Sequence, residues 1–307
     1  MKLLTLGGER KRFTIRILLC LVLWPCSVLG DIEIIDFAGR TVTLDKPAQR
    51  IIALAPHIVE NAFSAGAGSK LVGVVSYSNF PAAASTIPEV GTYKTVNLEA
   101  IVTLQPDLIL LWSSGNGMKT LTALEELGMQ VYVSEPRELA DIATTIRHIA
   151  KLAGTEQQGN PEAADIERQF DTLKQRYSQQ SPVSVFYQVW NEPLQTLNGD
   201  HLISKVINLC GGVNSFADAA FLAPRIGVEA VLTRNPDAII ASGMGTARPE
   251  WLDEWKAYPS LRAIQANTLF FVAPDHIQRP TARILLGAST LCEQLAIARK
   301  RLAGIAK

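Results

Sequence analysis

Short apolar runs alternate with longer amphipathic stretches along the chain, a rhythm that predicts strands and helices in turn. After a hairpin over Asp36–Leu44 turning at Gly39, Ile51–Ala55 reads as a buried strand ended by Pro56, and Ile58–Ala65 as a helix closed by Gly66. Leu71–Val75 reads as the next strand. Leu98–Leu104 follows as a helix, with Asn97 placed to accept from its free N–H groups. A buried strand over Asp107–Trp112, a helix over Met118–Leu127 stopped by Gly128, a strand over Gln130–Val133 and an amphipathic helix over Leu139–Leu152 complete this half. Strands and helices in alternation build a mostly parallel sheet covered on both faces. Ligands of such sheets bind beyond the carboxyl ends of the strands.

The most regular helical pattern lies mid-chain. Asn160 is placed to cap, Pro161 suits the first helical position, and Ala163, Ile166, Phe170, Leu173 and Tyr177 recur at three- and four-residue intervals before Ser181-Pro182. About 20 residues at roughly 1.5 Å each give about 30 Å, enough to cross from one lobe to another, and a helical connector hinges poorly. Beyond it the α/β rhythm resumes, with strands near Val183–Val189, Ala238–Ala241 and Leu269–Val272 and a terminal helix from Pro280 to about Leu302. The expected fold is therefore α/β, two Rossmann-like lobes with mostly parallel sheets over 31–155 and 182–307, joined by one rigid helix over 156–181.

An internal repeat relates the two halves. Leu98–Leu110 is echoed by Val228–Ile240 at a constant offset of 130 residues, each copy a helix, a Pro-Asp turn and a buried strand. The lobes are expected to share one architecture and to face each other about a pseudo-two-fold axis. Glu99 and Glu229 fall at equivalent places in the first helical turn, where the helix dipole favours a carboxylate. Two readings fit: helix-start acids, or a matched pair of anions that docks a two-fold partner carrying paired cations.

Composition narrows the classes. Of 307 residues 48% are hydrophobic, which excludes disorder, and 29 basic side chains against 29 acidic ones leave no excess to neutralise a nucleic-acid backbone. Lys2, Arg10, Lys11, Arg12 and Arg16 precede an uncharged apolar run, and Val28-Leu29-Gly30 offers small or modest side chains before Asp31. Residues 1–30 thus read as a cleaved secretory signal peptide and predict export. The charge-free stretch from Ile17 to Gly30 has 14 residues, short of the about 20 that a membrane span needs. Cys20 and Cys26 leave with the signal. Cys210 and Cys292 remain, a pair that an oxidising compartment joins as a disulfide, or else two buried thiols.

Enzyme signatures are missing: the chain has no GxSxG elbow, HExxH, phosphate-binding Walker loop or GxGxxG after the first strand. No catalytic residue, cofactor or metal site is therefore expected. Among the scattered histidines, His57 and His276 follow strands and are the two that reach a cleft. Strand ends also carry aromatic residues: Tyr77 and Phe80 after the second strand, Tyr93 before the repeat helix, Trp112, and Trp190 in the other half. Such rings stack on a large planar ligand or fill the core, and the sequence leaves both readings open. Asp275-His276-Ile277-Gln278-Arg279 adds an acceptor and a forked donor ahead of the terminal helix, which also suits a structural ion pair.

The opening Asp36-x-x-Gly39-Arg40-x-Val42-x-Leu44 followed by Pro47-Ala48-x-Arg50-Ile51-Ile52-Ala53-Leu54 resembles the substrate-binding components of ABC importers for cobalamin, iron-siderophores and haem. Val74-x-Ser76-Tyr77-Ser78, Asn97-Leu98-Glu99, Pro106-Asp107-Leu108, Cys210-Gly211-Gly212 and the stretch Asp275–Cys292 are most similar to the cobalamin branch of that family. The resemblance implies a class III fold of two lobes on a rigid helix, cobalamin or a related corrinoid as ligand, the periplasm as the destination of export, and a protein that is monomeric when free. It also implies partnership with a permease dimer and its ATPase subunits. Carried over by position, Tyr77, Tyr93 and Trp112 fall where aromatic residues meet the corrin, and Asp275 and Arg279 where polar groups meet its amide-fringed edge, with His276, Ile277 and Gln278 between them. Cys210 and Cys292 match the family's disulfide, and Glu99 and Glu229 the two carboxylates that engage permease arginines. Tyr93 and Ala223 stand where Trp is usual and Leu194 near a usual Phe, departures that fit a different corrinoid and keep haem or a ferric siderophore as the alternative ligand.

Overall fold

The computed structural model describes residues 31–243, 245 and 247–305. The expected signal peptide over 1–30, with Cys20 and Cys26, lies outside the described residues. Two antiparallel strands, β1 (Ile32–Ile35) and β2 (Thr41–Leu44), open the described chain. Gly39 turns this hairpin at φ +75°, and the Asp36 carboxylate accepts from the Ala38 and Arg40 amides, both at 2.9 Å.

Four parallel strands follow, β3 (Ile51–Ala53), β4 (Leu71–Val74), β5 (Leu108–Trp112) and β6 (Val131–Ser134), ordered β4-β3-β5-β6. The second sheet holds β7 (Val183–Gln188), β8 (Gly212–Asn214), β9 (Ala238–Ala241) and β10 (Leu269–Phe271), ordered β8-β7-β9-β10. Chain order therefore maps onto sheet order identically in both lobes. Helices cover both faces, so β3 and β9 are buried at every residue, which is why they read as unbroken apolar runs.

The internal repeat is structural as well as sequential. Helices Leu98–Thr103 and Val228–Arg234 bury Ile101 and Val231 completely, and the Thr103 and Thr233 hydroxyls each donate to the carbonyl four residues back at 2.8 Å. Gln105 and Asn235, each barred from continuing a helix by the proline that follows, both turn through the left-handed region at φ +46° and +43°. Asp107 then accepts from the Gln49 and Arg50 amides, and Asp237 from the Ser184 amide, so each Pro-Asp turn ties down the start of the neighbouring central strand.

Two helices start away from the positions that Asn160-Pro161 and Pro280 mark in the sequence. The connecting helix is Glu156–Tyr177, beginning a turn before Asn160 and carrying Pro161 inside it. Thr155 holds that earlier start: its hydroxyl donates to the Ala65 carbonyl at 2.6 Å and its carbonyl accepts from the Gln158 and Gly159 amides. These contacts outweigh the single N–H donor that proline removes. The terminal helix is Ile284–Ile305 rather than beginning at Pro280, because residues 280–283 are engaged with the first lobe. Helix Leu202–Leu209 and the three-residue β8 were not expected from the pattern.

Cys210, just past helix Leu202–Leu209, is bonded to Cys292 of the terminal helix, 82 residues away. By loop-closure entropy that bridge contributes about 4 to 5 kcal/mol. Among the described residues no helix is long and apolar enough to cross a membrane.

Candidate functional site

The carboxyl ends of the two sheets line a common cleft. A cavity of about 110 Å³ marks its floor, walled by Trp112, Ser114, Glu135, Pro136 and Arg137 of the first lobe. Asp200, His201, Leu202, Leu222, Ile277, Gln278 and Pro280 of the second lobe close the other side. A salt bridge of 2.9 Å between Glu138 and Lys205 crosses the same gap.

Trp112 sits at the end of β5 in a built setting. Its amide donates to the Asn116 side chain at 2.6 Å, and that side chain donates in turn to the Leu54 and Tyr93 carbonyls at 2.8 and 2.7 Å. The indole lies over Gly115, where a Cβ would come within 1.9 Å of the ring. His57 meets the indole edge-on at 5.0 Å between centroids, and Tyr93 leans on its other side at 5.9 Å. Buried His57 is pushed down to about 3, by burial first and by the Arg279 charge second, so it is neutral near pH 7. Burial likewise pushes His201 down to about 4, and its Nδ1 accepts from the Ile203 amide at 3.1 Å to cap the next helix.

The sequence-expected residues divide by place. Trp112, Ile277 and Gln278 come together on the cavity, and Tyr93 backs Trp112. Tyr77 is not among the cavity residues and is 75% exposed, with its backbone at φ +67°. Gln278 is held by hydrogen bonds from its amide nitrogen to the Ser242 hydroxyl and the Gly243 carbonyl. Arg279 reaches across to the first lobe, where it pairs with Glu60 at 2.7 Å and donates to the Asn79 side chain and the Tyr77 carbonyl, while Asp275 of its own lobe pairs with it at 3.2 Å. Asp275 thus orients Arg279, while half-buried His276 is not among the cavity residues. Leu194 packs in the second-lobe core instead, and Ala223 is exposed with its carbonyl accepting from Gln195. Glu99 and Glu229 are exposed, in the first turns of the two matched helices.

Sequence reasoning missed Ser114, Glu135, Arg137, Asp200, His201 and Leu222. The strand-end rule points to Glu135-Pro136-Arg137, which follow β6 directly. Asp200 and Leu222 lie in loops with no periodic signal.

A family model described as periplasmic binding protein matches residues 51–275. The vitamin B12-binding protein of Vibrio cholerae is 37% identical over 255 residues, 83% of this chain and 92% of that protein. That of Yersinia pestis is 35% identical over 249 residues, 81% and 87% of the two chains. Among solved structures, the periplasmic vitamin B12 binding protein BtuF of Vibrio cholerae aligns with a TM-score of 0.76 at 36% identity, covering 83% of this chain and 99% of that one.

Proposed function

Because the chain belongs to the periplasmic binding protein family, we propose that it is the substrate-binding component of an ABC importer, taking cobalamin or a related corrinoid between its lobes and delivering it to the permease. The observation that carries this reading is the likeness to vitamin B12-binding relatives over 83% of the chain. Lobes over 31–155 and 182–307, joined by 156–181, grip the ligand without chemical turnover. The protein works in the periplasm as a monomer, exported by its signal peptide, and needs no cofactor of its own.

Cobalamin carries its own axial ligands, so shape, stacking and hydrogen bonds to its peripheral amides suffice for capture. Trp112 and Tyr93 offer apolar faces at the floor and Tyr77 one at the rim. Ser114, Glu135, Arg137, Asp200 and Gln278 supply polar groups around them. Arg279 acts on the rim through Tyr77, and Glu99 and Glu229 face the permease. Nanomolar capture corresponds to about −12 kcal/mol.

Calorimetric titration with cyanocobalamin, haemin and a ferric siderophore tests the reading. Saturable binding of cyanocobalamin is expected, with Trp112→Ala weakening it about tenfold through loss of the stacked ring. Binding of haemin or the siderophore in its place would overturn the ligand assignment.

A further inference from the structure

Glu60 is a charged side chain with only 3% of its surface exposed, and both of its cationic partners come from the other lobe. Arg279 approaches its Oε1 at 2.7 Å, while Arg283 donates to Oε2 at 2.9 Å and to Oε1 at 2.6 Å. Asp275, at the solvent-facing edge, also pairs with Arg279 at 3.2 Å, so two anions meet two cations in one cluster centred on Glu60. Beside it the Asn61 side chain donates to the Pro280 carbonyl at 3.0 Å, and the Arg283 guanidinium lies 4.1 Å over the Phe80 ring. The same Arg279 holds Asn79 and the carbonyl of Tyr77. The loop between Tyr77 and Phe80, which belongs to the first lobe, is therefore held by arginines of the second.

We propose that Glu60 is the positioning residue of the cleft: by anchoring Arg279 and Arg283 it sets the spacing between the lobes and, through Arg279, the placement of Tyr77. Neither effect needs Glu60 to touch the ligand. A buried carboxylate depends on its cations, so all three side chains must be seated together, and seating them brings the rim loop into place. This inference rests on the cleft being the ligand site.

Glu60→Gln keeps the shape of the side chain and removes its charge. Arg283→Met, a milder change that leaves the Glu60–Arg279 contact, serves as the second variant. Small-angle scattering of the free proteins, hydrogen exchange over residues 76–81 and cyanocobalamin titration are read side by side. The wild type is expected to keep one radius of gyration with and without ligand. Free Glu60→Gln is expected to be wider, to exchange faster at 76–81 and to contract on binding. Its affinity falls about tenfold if the gripping arrangement drops to about a tenth of the population, with Arg283→Met between the two. A purely structural role would lower the melting temperature alone, and unchanged scattering and exchange in Glu60→Gln would overturn the proposal. Should the wild type ignore cyanocobalamin, the ligand assignment fails, while scattering and exchange of the free proteins still decide the role of Glu60.

Discussion

Neutral imidazole is the state that the packing around His57 enforces. An unfolded chain titrates its histidines near 6.5, whereas folded His57 and His201 stay unprotonated to about 3 and about 4. Between about pH 6.5 and 4 the unfolded chain therefore binds protons that the fold refuses, and stability falls as the pH falls. His57→Gln removes one of these contributions, to which His148, also pushed down by burial, adds. Urea midpoints of that variant are expected to decline less steeply over this window than those of the wild type, and parallel slopes would contradict the burial of a neutral His57. Position after a strand made His57 visible in the sequence, but its charge state was not legible, because burial and the repulsion of Arg279, more than two hundred residues on, both disfavour its protonation. Gln278 entered the sequence reading only as lying between Asp275 and Arg279, and its anchoring by Ser242 and Gly243 belongs to the folded arrangement alone.

At the scale of elements, the connecting helix packs on helix Ala140–Ala153 with Gly159 at the contact. A Cβ at Gly159 would stand 2.5 Å from that of Ala150 and 3.2 Å from the Ala65 carbonyl oxygen. Gly159→Leu is expected to cost about 1 to 3 kcal/mol by overpacking, more than the roughly 1 kcal/mol that a better helix former returns. Chemical denaturation reads the difference, and an unchanged midpoint would mean that the two helices part freely. Strands covered on both faces were legible because burial leaves only apolar residues in them, as in β3 and β9. What the pattern hid were contacts made at a distance. Thr155 starts the connecting helix early through Ala65, and residues 280–283 delay the terminal helix because Pro280 and Arg283 bind the first lobe.

For the whole molecule, duplication was the most informative sequence feature. Matched left-handed turns at Gln105 and Asn235 and matched carboxylates at Asp107 and Asp237 give both copies the same local geometry. Glu99 and Glu229 occupy corresponding exposed places in it. Glu99→Ala combined with Glu229→Ala is expected to leave cyanocobalamin affinity intact and to abolish stimulation of ATP hydrolysis by the reconstituted permease complex. Undiminished stimulation would place the contact elsewhere. The cleft's other wall was less legible, since Leu222 and Asp200 reach it from irregular loops.

The Glu60–Arg279 pair joins residues 219 positions apart in sequence. Strand neighbours within each lobe are much nearer along the chain, so each sheet assembles from shorter closures while this one waits for nearly the whole polypeptide. Both sheets can be complete while Glu60 still lacks Arg279 and Arg283, so the proposed grip depends on the tail of the second lobe being seated against the first.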